Sequence, residues 1–130
     1  MFTLQQMQTA HGKVKTGADF PKYVQEIKSL GLLHYTFKVA DGCTVYTGVN
    51  GYEISSPPKY ALKTIYGQCN AEVLYYNISM HQQGHSDFLT FCSQAAACGV
   101  ECWVVDTQTM LCTYYNNSGE AMLSEPIPQL

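Results

Sequence analysis

The sequence predicts an α+β domain of two pseudo-symmetric α-β-β-β repeats with antiparallel sheet, plus an N-terminal helix and an inserted helix. The first observation is that residues 19–58 match residues 87–126 at a nearly constant offset of 68 positions. The pairs that define this offset are Asp19 and Asp87, Phe20 and Phe88, Gly31 and Gly99, and Tyr35 and Trp103. After one inserted residue, 43–46 matches 112–115. The second observation is that each repeat passes from helical to strand-like periodicity.

Composition limits the class of protein. The length of 130 residues fits one domain, 1–130. Hydrophobic residues make up 46% of the chain and charged residues only 13%, a composition that excludes a disordered chain. Ten tyrosines indicate a sheet with broad aromatic faces. The net charge is −3 and the sequence has no basic cluster, so nucleic-acid binding is disfavoured.

Helix signals open the first repeat. A short helix is predicted over residues 2–12, where Gly12 ends it. The helix of the repeat begins after Asp19, a suitable N-cap, and Pro21 lies in the first turn, where a missing N–H costs nothing. Gly31 suits the position after its last turn. The apolar stripe of this helix is Tyr23, Val24, Ile27 and Leu30.

Three strands complete the first repeat. Alternation of apolar and polar residues predicts strands with one buried face. Asp41-Gly42 and Asn50-Gly51 are predicted type I′ turns, which need positive φ at both central residues. The predicted strands cover 33–39, 43–47 and 52–55.

The second repeat follows an inserted helix, predicted over 70–82. Ser86 or Asp87 caps the next helix, and Gly99 ends it. The three predicted strands cover 102–105, 111–115 and 121–124. Because one helix on a three-stranded meander is marginal alone, we expect the sheets of the two repeats to join or to face each other. The shared core would then contain Tyr35, Phe37, Trp103 and Val105.

Targeting signals are missing from the sequence. The N-terminal segment lacks the positive and apolar regions of a secretory signal, and no apolar run reaches the ~20 residues of a membrane span. We therefore expect a cytoplasmic protein with no membrane partner, whose six cysteines are reduced thiols. These are Cys43, Cys69, Cys92, Cys98, Cys102 and Cys112.

Motifs for metal binding and catalysis are weak. Cys98 and Cys102 are separated by three residues and have no second pair, so burial of two small thiols is preferred over a zinc site. A thiol–imidazole pair of Cys92 with His81 or His85 is disfavoured, because Cys92 lies on the apolar stripe of its helix, where burial raises a thiol pKa. We expect no metal, no cofactor and no catalytic residue.

Aromatic residues are the most suggestive candidates. If the repeats pack about a twofold axis, a set at matching positions converges near that axis. The candidate groove residues are Tyr35, Tyr46, Trp103, Tyr114 and Tyr115, together with His81. Two interpretations stay open: a groove for a flat or cyclic ligand, or a filled core with hydroxyls at its rim. The filled core is preferred.

One segment of the chain resembles a known family. The segment runs from His81-Gln82-Gln83-Gly84 through Trp103-Val104-Val105-Asp106 to Cys112-Thr113-Tyr114-Tyr115. Over roughly residues 18 to 128 the chain is similar to short enterobacterial single-domain proteins classed as a domain of unknown function. Some members carry the label "phage envelope protein". The resemblance implies prophage or mobile-element origin and supplies no catalytic residue or ligand.

These observations favour a small non-catalytic binding or interaction module over an enzyme. A small-molecule-binding domain or enzyme that uses the tyrosine-rich groove is the first alternative. A structural phage component is the second, and it would require self-assembly. An exposed strand edge is compatible with a homodimer, and the sequence identifies no other partner.

Overall fold

The computed structural model describes residues 1–15, 17–66 and 71–128. In these ranges the chain forms four α-helices and a six-stranded antiparallel sheet, so the predicted α+β class is confirmed. The helices are α1 (Leu4–His11), α2 (Phe20–Ser29), α3 (Ala71–Gln82) and α4 (Phe88–Ala97). The strands are β1 (His34–Lys38), β2 (Thr44–Thr47), β3 (Glu53–Ser55), β4 (Val100–Asp106), β5 (Leu111–Asn116) and β6 (Ala121–Pro126).

The strand order is β3-β2-β1-β4-β5-β6, with β1 and β4 paired at the centre. This pairing joins a meander of β1 to β3 with a meander of β4 to β6, as one of the two predicted arrangements requires. Thr36 pairs with Val104 at its middle, and Phe37 pairs with Trp103. The sheet therefore continues across the boundary between the two meanders.

Helix starts differ in how they are capped, and one of the two predicted caps is absent. Thr3 and Gln6 form a reciprocal capping box at α1, and Asp87 accepts the Thr90 N–H at 2.7 Å as N-cap of α4. Asp19 precedes α2 but makes no cap hydrogen bond there; its carboxylate accepts the backbone N–H of Lys15 at 2.9 Å. The carboxylate of Asp19 thus fixes the loop before α2 instead of the helix start.

Two turns differ from each other although both were predicted as type I′. Asn50 and Gly51 have φ of 57° and 75°, which agrees with positive φ at both central residues. At the other turn only Gly42 has positive φ, so the type I′ prediction is wrong at Asp41. The Asp41 carboxylate instead accepts the backbone N–H of Cys43 at 2.9 Å, a local bond that favours a different turn.

A segment after β3, residues 59–63, crosses this turn; we call it the strap. The backbone N–H of Lys59 donates to the Asp41 carbonyl at 2.8 Å, and that of Lys63 donates to the Ala40 carbonyl at 2.7 Å. The Tyr60 hydroxyl donates to the Val39 carbonyl at 2.7 Å. These bonds hold the strap against the end of β1 and fix where Lys59 stands.

The hydrophobic core lies between the helices and one face of the sheet. Tyr35, Phe37, Trp103 and Val105 are all buried in it, as predicted. The helices contribute mainly Met7, Val24, Ile27, Leu74, Ile78, Phe91, Cys92 and Ala95. Residues on the other face, such as Thr36 and Val104, are half-exposed. Within the described residues, no helix has the length and apolar character needed to cross a membrane.

The cysteines differ in part from the expectation of six reduced thiols. Cys43, Cys92, Cys102 and Cys112 are free. Cys98 is disulfide-bonded, so the expectation is wrong there. Cys69, the remaining cysteine of the prediction, lies outside the described residues. Cys98 is also buried, as the interpretation of its spacing to Cys102 predicted, whereas Cys102 is half-exposed.

Candidate functional site

A cavity of about 520 Å³ lies between the sheet and the helices. Its floor consists of side chains from four central strands that point to the same face. These are Tyr35 and Phe37 of β1, Thr44 and Tyr46 of β2, Trp103 of β4, and Cys112 and Tyr114 of β5. The alternation of a strand brings them together, because every second residue faces the helices.

Strand register sets the aromatic floor. Tyr35 lies directly opposite Tyr46, with ring centroids 5.9 Å apart, and Trp103 lies opposite Tyr114 at 5.7 Å. Across the central pairing, Phe37 stacks on Trp103 at 4.4 Å with the ring planes 19° apart. The rings contact one another from strand to strand, and such cross-strand pairs stabilise the sheet.

The hydroxyls on this floor stay neutral. Burial raises the pKa of Tyr35 and of Tyr114 well above the usual tyrosine value. Burial also raises the pKa of Tyr23 on α2, although a hydrogen bond between Tyr23 and Tyr35 acts in the opposite direction. The floor therefore offers neutral hydroxyls, which donate or accept hydrogen bonds without carrying charge.

The helical wall holds His81 in one orientation. The imidazole of His81 stacks on Phe91 with centroids 4.8 Å apart and planes 11° apart. Its Nδ1 lies 3.1 Å from the carbonyl oxygen of Ser86. Because a carbonyl only accepts, Nδ1–H donates in this bond, which leaves Nε2 as the other polar atom of the ring.

Two basic side chains reach the cavity near Phe88. The Lys59 ammonium stands 5.3 Å from the centroid of Phe88 and 6.0 Å from that of Phe37. The ring of His11, at the end of α1, makes edge-to-face contacts with Tyr23 and Phe88, with ring centroids 5.5 and 6.2 Å apart. Burial, followed by the charge of Lys59, lowers the pKa of His11, and burial lowers the pKa of Lys59.

One carboxylate, Glu125 of β6, lines another part of the cavity. It pairs in register with Cys112, beside Tyr114, two strands beyond the central pairing. Burial raises the pKa of Glu125. Among the described residues, Lys13 and Glu26 form an ion pair. Neither Lys59 nor Glu125 has an oppositely charged partner within salt-bridge distance among those residues.

The cavity brings together five of the six residues predicted from sequence: Tyr35, Tyr46, Trp103, Tyr114 and His81. Tyr115 does not line it. Tyr115 follows Tyr114 directly in β5, so its side chain leaves the opposite face of the strand. The match of 43–46 with 112–115 suggested otherwise, but Tyr46 and Tyr114 are the residues that occupy corresponding register positions.

Sequence reasoning did not identify the charged residues. His11 lies in the last turn of a predicted helix, and no sequence pattern shows which way the end of that helix points. Lys59 follows two prolines and joins the cavity only because the strap crosses a distant turn. Glu125 lies one residue beyond the predicted strand 121–124, whereas β6 extends to Pro126 and so includes it.

The thiols are poorly suited to nucleophilic chemistry. Burial raises the pKa of Cys92, as predicted, and raises that of Cys112 to about 12. His81 contacts Phe88, Phe91 and Ser86, so it does not pair with Cys92. In the described parts of the chain, no three His, Cys, Asp or Glu side chains converge as metal ligands.

Comparison with known proteins gives a family but no activity. The family described as "Protein of unknown function (DUF1398)" matches residues 8–126. The matched range includes every element from α2 to β6 and nearly all residues that line the cavity. Among curated proteins, no match was found.

Proposed function

Since the chain belongs to the DUF1398 family, whose function is unknown, we propose a function from the cavity: this is a non-catalytic domain that binds a small planar ligand. The observation that carries the proposal is an aromatic floor that remains open as a cavity of about 520 Å³. Ligand pockets are typically ~300–1,000 Å³, mostly apolar, with a few placed polar groups.

The floor supports a planar ligand in particular. Phe37 and Trp103 stack face to face on each other at 4.4 Å, with Phe88 roughly perpendicular to both, so this pair offers ring edges to the cavity. Tyr46 and Tyr114 lie on the neighbouring strands. A flat ring placed against these edges and the tyrosine rings gains edge-to-face contacts and burial together. Because the rings already contact one another, little side-chain freedom is lost when a ligand binds.

A binding role is better supported than an enzymatic role in the same cavity. A nucleophile needs a lowered pKa or an adjacent base, and the thiol of Cys112 has neither. The tyrosine hydroxyls are likewise held neutral. The Nδ1–H of His81 donates a hydrogen bond to the Ser86 carbonyl, and the imidazole stacks on Phe91, so the ring is held as part of the cavity wall.

We further propose that the two α-β-β-β units are pseudo-symmetric halves. The central pairing supports this, because Thr36 and Val104 are directly paired and lie 68 positions apart, the offset of the internal repeat. The register also suggests a corrected match, in which Thr44 corresponds to Cys112. Superposition of 19–55 on 87–123 in an experimental structure, with a poor fit of the strands, would contradict it.

The ligand proposal is tested with Trp103, the one tryptophan of the 130 residues, which lies on the cavity floor. A metabolite library is screened by thermal shift, and each hit is titrated while Trp103 fluorescence is recorded. A ligand at a hundred times its Kd adds about 2.7 kcal/mol to the free energy of unfolding. We expect planar hits to raise Tm and to change Trp103 emission.

The matched variant combines Tyr46→Phe with Tyr114→Phe, which removes two hydroxyls and keeps both rings. A hit that uses the cavity should bind this variant with altered affinity. The proposal fails if no compound raises Tm, or if hits raise Tm while Trp103 emission and the double variant show no difference.

A structural phage role and a homodimer stay predictions from sequence. Both require self-association, which the molar mass in solution measures directly. Light scattering that finds only monomer over a wide concentration range would rule out both.

A further inference from the structure

We infer that the ligand is an aromatic anion, with its flat rings against the aromatic floor of the cavity and its anionic group held by Lys59 and His11. The inference rests on the proposed function and names its ligand class. The shared chemistry is a carboxylate, sulfonate or phosphate attached to a planar ring system.

The first support is the position of Lys59. Its ammonium lies over Phe88 and near Phe37, a residue of the aromatic floor. No carboxylate of the described residues pairs with it. A cation that is partly removed from water and left without an anion pays a desolvation cost, and a bound anion would offset that cost.

The second support is that His11 faces the same space. Phe88 lies within contact of both basic groups, 6.2 Å from the His11 ring and 5.3 Å from the Lys59 ammonium. A proton on His11 is disfavoured first by burial and second by repulsion from the charge of Lys59. An anion between them would remove this repulsion and bring both groups into use.

The third support is that the cavity has opposite charges at different places, Glu125 at one and Lys59 at another. Glu125 lies on β6 beside Cys112, whereas Lys59 stands over β1 and α4. A ligand that places its anion near Glu125 would meet repulsion, and one that places it near Lys59 would meet attraction. A neutral ring system of the same size would lack this preference.

The test uses two dyes with the same aromatic skeleton. Anilinonaphthalene sulfonate carries one negative charge, and phenylnaphthylamine is neutral. Both accept energy from tryptophan, so Trp103 reports the binding of either dye to the full chain. We expect the sulfonate to bind more tightly, and we expect added salt to weaken only the sulfonate.

The decisive variant is Lys59→Gln, which keeps most of the side-chain length and removes the charge. We expect about fivefold weaker binding of the sulfonate and unchanged binding of the neutral dye. Lys63→Gln is the matched control, because Lys63 lies on the same strap, over the ring of Tyr60, and does not line the cavity. It should leave both affinities unchanged.

The outcomes separate the two proposals. If neither dye binds, the small-molecule role itself is wrong. If both dyes bind equally, or if Lys59→Gln weakens both to the same extent, the cavity binds rings but does not select anions. Circular dichroism and Tm of each variant confirm folding, and His11→Gln provides an independent second variant with the same expected direction.

Discussion

His11 and Lys59 share a cavity with aromatic rings, and each is harder to protonate because it is partly buried. Such groups cost stability in the empty protein whenever they carry charge. Their presence at one cavity wall is accounted for if charge is needed there when a ligand is bound. The pH dependence of stability gives a direct measure of this cost.

The prediction concerns His11. Its folded pKa lies below the ordinary 6.5, so the unfolded chain binds a proton more readily. Stability is therefore complete above about pH 6.5 and declines as the pH falls below it. We expect the loss of Tm between about pH 7.5 and about pH 5.5 to be larger in the wild type than in His11→Gln.

The difference between the two proteins is the measured quantity, because Glu125 acts with the opposite sign. Its folded pKa is raised, so its contribution to stability increases as the pH falls. This effect is common to both proteins and cancels. His34→Gln, on the other face of the sheet, serves as control, and an equal loss of Tm in wild type and His11→Gln would contradict the prediction.

At the scale of elements, the strap connects a turn to the cavity. Gly42 has φ of +76°, and a Cβ there would lie 2.9 Å from the Cβ of Lys59 and from a ring carbon of Tyr60. The turn therefore needs glycine for two reasons, its backbone conformation and the close approach of the strap. The position of Lys59 therefore depends on the conformation of this turn and on the close contact between the turn and the strap.

Gly42→Ala is expected to destabilise the protein and to displace Lys59. Gly51→Ala is the matched control, because Gly51 has φ of +75° with no atom within 4 Å of an added Cβ. In each variant the positive-φ backbone lowers the free energy of unfolding by roughly 1 kcal/mol, and in Gly42→Ala the clash with the strap lowers it further. Urea unfolding measures the difference; equal losses, with unchanged sulfonate affinity in Gly42→Ala, would contradict the role of the strap.

Sequence patterns predicted elements better than the contacts between them. Periodicity and glycine positions located each α-helix and strand of the described residues within a few residues, because those signals are local. Lys59 and His11 escaped prediction, since their places depend on hydrogen bonds and packing between distant segments. The prediction for Tyr115 is wrong because the match of 43–46 with 112–115 is one residue out of register. A shift of one residue moves a strand side chain to the opposite face of the sheet.

For the whole molecule, the central β1–β4 pairing makes the six strands one continuous sheet. Phe37 and Trp103 stack across this pairing, and a single hydrophobic core contains residues of all four helices. Sequence predicted that the two sheets would join or face each other, but not which strands would pair. That choice depends on long-range pairing, for which local patterns carry no information.

We expect unfolding to be two-state. Trp103 fluorescence, which reports the central pairing, and far-ultraviolet circular dichroism, which reports all elements, should give the same urea midpoint. Two separate midpoints would mean that the two meanders unfold independently. Tm measured by both methods provides the thermal equivalent.

The ring pairs Tyr35–Tyr46 and Trp103–Tyr114 lie on opposite sides of the central pairing. Stacking alone would therefore let a flat molecule enter in either of two head-to-tail directions. Lys59 and Glu125 make those directions unequal. The consequence is discrimination between positional isomers: two compounds with identical rings and identical charge should differ in affinity according to where on the ring the acid is attached.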